Sequence, residues 1–380
     1  MRVLIAGDFS QKNRIDAVVQ TRSFGQLFDQ IVPIVSSADY SIINLEFPIV
    51  LGTTEPRPIP KLGPHLKGSI EAVDAVKYAG FKCCTLANNH ILDQGEKCCI
   101  DTKTELEKAG IDTVGVGNNL DEAGEVFYKN VDSERLAIIN CCEREFSIAT
   151  ESSAGANPLN PIQQFYKIQE ARAKADYVLV IVHGGHEHYQ LPSPRMQETY
   201  RFFIDAGADA VVNGHQHCYS GFETYKDKPI VYGIGNFCFD NPQKVQEKWN
   251  EGYMVMLKFE NGRAIIDHLF PYTQCDSSLG THPMVNDAEF RQRIEELNQI
   301  IASPEKLKQK TDEYYLETAK HYLDGYEPYN NKLFVKLHSM GLLPSLMGKS
   351  KMLSIWNHTE CEAHRDISLF ALKSLFKKNI

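Results

Sequence analysis

Strand-length apolar runs recur through about the first 270 residues, alternating with amphipathic stretches of helix length. Short apolar runs bounded by turn formers read as buried strands, and 3.6-residue periodicity reads as helix. Strands are expected at 2–6, 41–44, 82–86, 113–116, 136–140, 177–182, 210–213 and 230–234. Helices are expected near 14–35, 68–79, 96–109, 161–175 and 194–206. A late pair, 252–259 and 263–269, reads as an antiparallel hairpin about Asn261-Gly262. This alternation specifies a layered α/β fold with mixed sheets.

Five of the runs stop at metal-ligand residues: Gly7-Asp8, Asn44-Leu45-Glu46, Asn88-Asn89-His90, His183-Gly184-Gly185 and Gly214-His215-Gln216-His217. In open α/β sheets ligands bind beyond the carboxyl ends of strands, where loops converge. Each segment alone has a plainer reading. Gly-Asp serves equally as a turn or helix cap, Asn88-Asn89 as turn chemistry, and a strand-end His183 as a hydrogen-bonded structural residue. Taken in order, the five point to one polynuclear metal site. On an extended backbone His215 and His217 would face the same side, and Gly214 would permit a tight turn before them. A donor set of carboxylate, amide oxygen and imidazole suits Mn, Fe, Co or Zn better than an all-oxygen calcium or magnesium site. A carboxylate such as Glu46 can bridge two divalent ions, and two ions roughly 3.5–4 Å apart bring the pKa of a bridging water toward neutrality.

The formal charge of -9 and pI near 5.8 exclude a nucleic-acid backbone as the expected partner, which normally demands a basic surface. Lys61, His65 and Lys67, in a Pro/Gly-containing loop, are candidates to meet an anionic substrate, with a solvated loop as the alternative. No apolar stretch is long enough to span a bilayer, and no export signal precedes the first strand. The adjacent pairs Cys83-Cys84, Cys98-Cys99 and Cys141-Cys142 lack disulfide or zinc-knuckle spacing, so reduced thiols in a cytoplasmic protein are expected.

Composition shifts after residue 280, which divides the chain into an α/β domain over 1–280 and a charged, helical C-terminal extension over 281–380. The extension reads as an appendage that packs on, or lids, the α/β body. Ser303-Pro304 reads as a helix start. His358, Cys361 and His364 are three apart, as helix-face ligands would be, although helix packing explains that spacing as well.

At the five segments the chain resembles the poly-γ-glutamate capsule-synthesis family of CapA type, a branch of the calcineurin-like metallophosphoesterases. The likeness covers roughly residues 1–272. It rests on Gly7-Asp8, Asn44-Leu45-Glu46-Phe47-Pro48, Leu86 to Gly95, His183-Gly184-Gly185-His186-Glu187, Gly207 to His217 and Gly235 to Asp240. It implies a four-layer α/β/β/α sandwich with a dinuclear centre between the sheets. One metal would be held by Asp8, Glu46 and His217, the other by Glu46, Asn89, His183 and His215. His90 would act as general acid or stabilise the transition state. Asp93 is the candidate to orient it, although the superfamily's acidic partner usually follows directly, where this chain has Ile91. Asn44, Glu187, His186 and His188 are candidates for substrate contact; the two histidines read equally as solvent-facing. Asn236 and Asp240 would brace the last loop under the site.

Two departures stand out. The superfamily places a histidine two residues after the first aspartate, and this chain has Ser10. Its second motif normally offers aspartate, and here Glu46 reaches further. The expectation is a metal-dependent hydrolase in which a metal-bridging hydroxide attacks a phosphoester or related bond. Its substrate would be anionic or polymer-derived, in capsule or cell-surface polymer metabolism. The alternatives are a non-catalytic assembly or binding subunit and a γ-glutamyl amide hydrolase.

Overall fold

A computed structural model of the chain describes every residue except 245–247, 325, 330, 361–363, 366, 369–370 and 373–380. Two compact units emerge, Met1–Lys308 and Gln309–Ile380.

The first unit is built on two sheets. One runs in the order Thr281–Pro283, Arg263–Gln274, Glu251–Glu260, Arg2–Ser10, Tyr40–Leu45, Cys83–Thr85, Asp112–Val114, with Asn236–Phe239 also pairing on Arg2–Ser10. The other runs Phe222–Tyr225, Lys228–Val231, Ala210–Gly214, Tyr177–His183, Glu134–Cys142, Phe127–Val131. Alternation along each strand sorts its side chains between two cores. Val3, Ile5, Tyr40, Ile42 and Cys83 join the core that includes the second sheet. Their neighbours Leu4, Ala6, Ile43 and Cys84 join the core under the helices Arg14–Gln20, Glu71–Ala79 and Glu96–Lys108. Helices Pro161–Lys174 and Pro194–Asp205 contribute Ile168, Ala171, Tyr200 and Phe203 to the core of the second sheet. The result is the four-layer α/β/β/α sandwich. Fully burying an aliphatic or aromatic side chain of this kind contributes roughly 1.5–3 kcal/mol, so both sheet faces are strongly specified.

Several expectations change. The single helix expected over 14–35 is three short ones, Arg14–Gln20, Gly25–Phe28 and Val32–Ser36, because Arg22 takes a left-handed φ of 56° and Pro33 sits at the start of the third. The strand expected through Val116 stops at Val114, where Gly115 has φ +100° and a Cβ there would lie 2.2 Å from Asn140 Oδ1. Strands Phe127–Val131, Phe222–Tyr225 and Asn236–Phe239 are additions. The Asn261-Gly262 hairpin forms with both turn residues at positive φ, as a two-residue turn of that type requires.

The composition change near 280 does not coincide with the boundary between units. Helix Ala288–Ile301 buries Phe290, Ile294, Leu297 and Ile301, a stripe at i, i+4, i+7 and i+11, in the core of the first unit. The second unit holds most of helix Pro304–Asp324 and the helices Lys332–Ser339 and Lys349–Glu360. The nine cysteines among the described residues are all buried and none is in a disulfide, and burial pushes the thiols of Cys83 and Cys99 up to about 12.

Candidate metal centre

Strict alternation along Arg2–Ser10 would turn Phe9 away from Leu4 and Ala6, yet all three lie in one core. The pairing with Tyr40–Leu45 slips between Ala6 and Asp8, so Gly7 is an extra residue that resets the strand's parity. Only glycine fits, since a Cβ on Gly7 would lie 1.8 Å from Gly235 O. The slip aims Asp8, fully buried, into the gap between the sheets.

Asp8 meets residues from both sheets. Asn44 Nδ2 donates to Asp8 Oδ1 at 2.7 Å, and His183 Nδ1 lies 3.8 Å from the same oxygen. His217 Nδ1 lies 3.7 Å from Asp8 Oδ2. Glu46, also fully buried, places Oε1 3.6 Å from His183 Nε2. His183 Nε2 is in turn 3.1 Å from Asn89 Oδ1 and 3.1 Å from His215 Nδ1. Two triads result, Asp8–Glu46–His217 and Glu46–His183–His215, each with ligand atoms within 4.8 Å of one another and sharing Glu46.

The 214–217 turn is not extended. His215 and His217 take φ of 90° and 55°, left-handed values unusual for a residue with a Cβ, while Gly214 does not. The two rings converge through that backbone strain, with centroids 6.1 Å apart. Strain of this kind costs about 1–3 kcal/mol per residue and persists only where the surroundings over-determine it.

The donor set fits divalent cations. Asp8 Oδ2 and both Glu46 oxygens are buried and have no hydrogen-bond partner among the described residues. An uncompensated buried carboxylate is costly, and burial pushes Asp8 up to about 7 and Glu46 up to about 8. Burial also drives His183 and His215 down to about 4, which leaves ring nitrogens with lone pairs to offer. Ligands about 2.0–2.2 Å from a tetrahedral ion lie roughly 3.4 Å apart, close to the separations around His183 Nε2.

Supporting partners orient these donors. Asn236 Oδ1 lies 2.8 Å from His217 Nδ1, and its Nδ2 donates to the carbonyls of His217 and Trp249 at 3.3 Å, so Oδ1 is the acceptor. His217 Nε2 is therefore the nitrogen left to bind an ion. Asn89 Nδ2 donates to Glu145 Oε2 at 2.7 Å, which turns Asn89 Oδ1 toward His183. Asp240 takes Arg14 through Nη2 at 2.7 Å and through the backbone N–H at 2.8 Å. Glu145 carried no strand-end signature; it follows Glu134–Cys142 by three residues in an exposed loop.

His90 stands beside the triads, with Nε2 3.9 Å from Glu46 Oε1. Its Nδ1 lies 2.6 Å from Asp93 Oδ2, which also accepts the Leu66 N–H at 2.6 Å. Lys61 donates to Asp93 Oδ1 at 2.5 Å and lies 3.0 Å from His90 Nδ1. The solvated-loop reading of Lys61 is corrected, since its side chain is only 3% exposed. His65 bonds the Ile59 carbonyl, Lys67 is exposed, and neither lines the cleft at His90.

That cleft, about 550 Å³, is lined by Lys61, Asn89, His90, Arg144, Phe146 and Glu187 among others. Asn44, expected as a substrate contact, is buried and does not line that cleft: its amide is engaged with Asp8 and with Asn88 Nδ2 at 3.3 Å. His188 directs its ring to Trp249 and His217, at 5.7 and 6.1 Å, and His186 is half-buried near Glu143 and Arg195. In the second unit the rings of His358 and His364 are 5.9 Å apart; Cys361 lies outside the described residues.

Two facing sheets covered by helices, with carboxylate, amide and imidazole donors gathered at strand ends, define an α/β/β/α sandwich that carries a candidate metal centre between its sheets. The chain belongs to the family of the bacterial capsule synthesis protein PGA_cap, whose model matches residues 2–241. It is 31% identical over 274 residues to the capsule biosynthesis protein CapA of Bacillus anthracis, covering 70% of this chain and 66% of that one. It is 30% identical over 238 residues to the PGA biosynthesis protein CapA of Bacillus subtilis strain 168, covering 62% of each. The chain thus spans just under two thirds of these relatives' lengths. Among solved structures it is similar to the calcineurin-like phosphoesterase YfkN from Bacillus subtilis, with TM-score 0.37 and 12% identity, covering 84% of this chain and 98% of that one. No helix among the described residues is long and apolar enough to cross a membrane.

Proposed function

We propose that the protein is a metal-dependent hydrolase acting on a phosphoester or related bond of an anionic, polymer-derived substrate in capsule or cell-surface polymer metabolism. The observation that carries this reading is the set of three buried carboxylate oxygens on Asp8 and Glu46 that have no hydrogen-bond partner among the described residues, ringed by imidazoles that burial keeps uncharged. Asp8, Glu46 and His217 would hold one divalent ion, and Glu46, Asn89, His183 and His215 a second. Bound ions of this kind supply Lewis acidity and an activated water. His90, its Nδ1 turned to Asp93, keeps Nε2 on the cleft side, where it can give a proton to a leaving oxygen. Lys61 shares the Asp93 carboxylate, so the proton-handling group carries its own compensating charge. Arg144, exposed in the cleft and without an ion pair among the described residues, is a group available to an anionic substrate. The polymer part of the reading draws on the names of the CapA relatives.

The test is metal content of the purified protein and turnover of phosphomonoesters and phosphodiesters after loading with Mn, Fe, Co or Zn, against the His183→Ala/His215→Ala double variant. Less than one ion per chain, equal metal in both proteins, or no turnover under any loading sinks the hydrolase reading. Ser10 favours a second reading, a non-catalytic assembly or binding subunit. It is buried in strand register with Phe239 and offers no nitrogen beside Asp8. Metal binding without turnover, including on poly-γ-glutamate as a γ-glutamyl amide substrate, is the outcome that supports it.

A further inference from the structure

Over residues 328–359 the chain contains no aspartate or glutamate, but four lysines, Lys332, Lys336, Lys349 and Lys351. This occurs within a protein of formal charge -9. None of the four lysines makes an ion pair among the described residues, although other lysines of the chain commonly do. Between the lysines lie Leu333, Phe334, Met340, Leu342, Leu353 and Trp356, all well exposed. No residue from 331 to 359 is buried, which takes in all of helix Lys332–Ser339 and residues 349–359 of helix Lys349–Glu360. Exposure is not the common fate of the C-terminal helices, because Ala288–Ile301 hides its apolar stripe completely.

We propose that residues 328–359 are an interfacial segment that docks this protein on a bilayer surface carrying anionic phospholipids. Apolar side chains interleaved with lysines and free of acidic residues form the composition that partitions into the headgroup boundary, with lysine stems extended to phosphate and the aromatic ring beneath. The apolar residues occupy both helices and also the turn between them, at Leu342 and Leu346. They therefore offer a broad sheet of contact, unlike the single ridge that fits a protein groove. Helices of eight and twelve residues are too short to span a hydrocarbon core, which takes about 20. Their length and charge suit lying in the interface. Charge complementarity selects the occupant: a second copy of this segment would set lysine against lysine, whereas an anionic headgroup layer neutralises all four.

The full chain is to be mixed with vesicles of phosphatidylglycerol and phosphatidylcholine, and separately with pure phosphatidylcholine vesicles, and sedimented. Tryptophan emission is read in parallel. The chain has two tryptophans, Trp249 at 6% exposure and Trp356 at 63%, so a blue shift on mixing reports Trp356 entering an apolar layer. The expected result is co-sedimentation and a blue shift with the anionic vesicles only, weakened at high salt. Replacing Lys332→Gln, Lys336→Gln, Lys349→Gln and Lys351→Gln together lowers partitioning roughly tenfold or more. The pair Phe334→Ser and Trp356→Ser abolishes it with the thermal transition of the first unit unchanged. No partitioning at low salt, equal partitioning into pure phosphatidylcholine, or undiminished partitioning of the lysine variant overturns the proposal. So does a concentration-dependent dimer that shields Trp356 without lipid, which would make a second copy the occupant, or capture by an acidic protein with no lipid binding.

Discussion

Asp93 Oδ2 lies 2.6 Å from His90 Nδ1, and the two residues are locked by a turn in which the Asp93 N–H donates to the His90 carbonyl at 2.9 Å. The carboxylate thus fixes which ring nitrogen faces the cleft. Under the hydrolase reading, His90→Ala lowers kcat by roughly 10²–10⁴ with bound metal retained, and Asp93→Asn lowers it less. Turnover of a chromogenic phosphodiester, with metal analysis of each variant, checks this. Loss of metal in His90→Ala would move the residue from proton handling to the ligand set.

The metal-free protein should lose stability as pH rises from about 6.5 to 8. Asp8 and Glu46 have folded values near 7 and 8, above their ordinary 3.8 and 4.5, so through that window the folded state holds protons that the unfolded chain has released. His183 and His215, held near 4, act in the opposite direction, but only below their ordinary 6.5. Binding of divalent ions removes the falling limb. Thermal melts at pH 6.5 and 8, with and without Mn or Zn, give the comparison; identical slopes in both forms would refute it.

Glu46→Gln should have opposite signs in the two forms. Without metal, above about pH 8 where Glu46 gives up its proton, it removes a buried carboxylate charge and raises Tm; with metal it removes a shared ligand and lowers the gain on loading. Differential scanning calorimetry with and without a chelator reads both.

Glu145→Ala frees the Asn89 amide to rotate, since Glu145 Oε2 is what holds Nδ2 away from His183. Metal affinity should fall about 10–100-fold, as for other partners that orient a ligand. A competitive metal titration measures it, with Glu151→Ala, an exposed acid in the following turn, as the control that should not change.

Gly7→Ala places a methyl group 1.8 Å from Gly235 O and forces apart two backbones. The expected cost is about 1–3 kcal/mol, together with weaker metal binding because Asp8 rides on the same bulge. Urea melts and the same titration test both parts.

Strand–helix alternation and the ends of the strands were legible in the sequence because their signals are local. An apolar run and the turn former after it lie within a few residues of one another, so Asp8, Glu46, Asn89, His183 and His215 announce themselves at strand ends. The remaining features depend on residues far apart in the chain. The parity slip at Gly7 is set by the approach of Gly235, and the burial of Lys61 by His90 and Asp93, some 30 residues on. Glu145 acquires its role only when its loop meets Asn89, and the left-handed His215 and His217 are held there by the packing around them. Sequence alone therefore determined which residues could reach a common site and that the site would be rich in metal donors. Only the tertiary structure decided how each donor is aimed, because aim depends on bulges, strained backbone and buried partners that no short window of sequence contains.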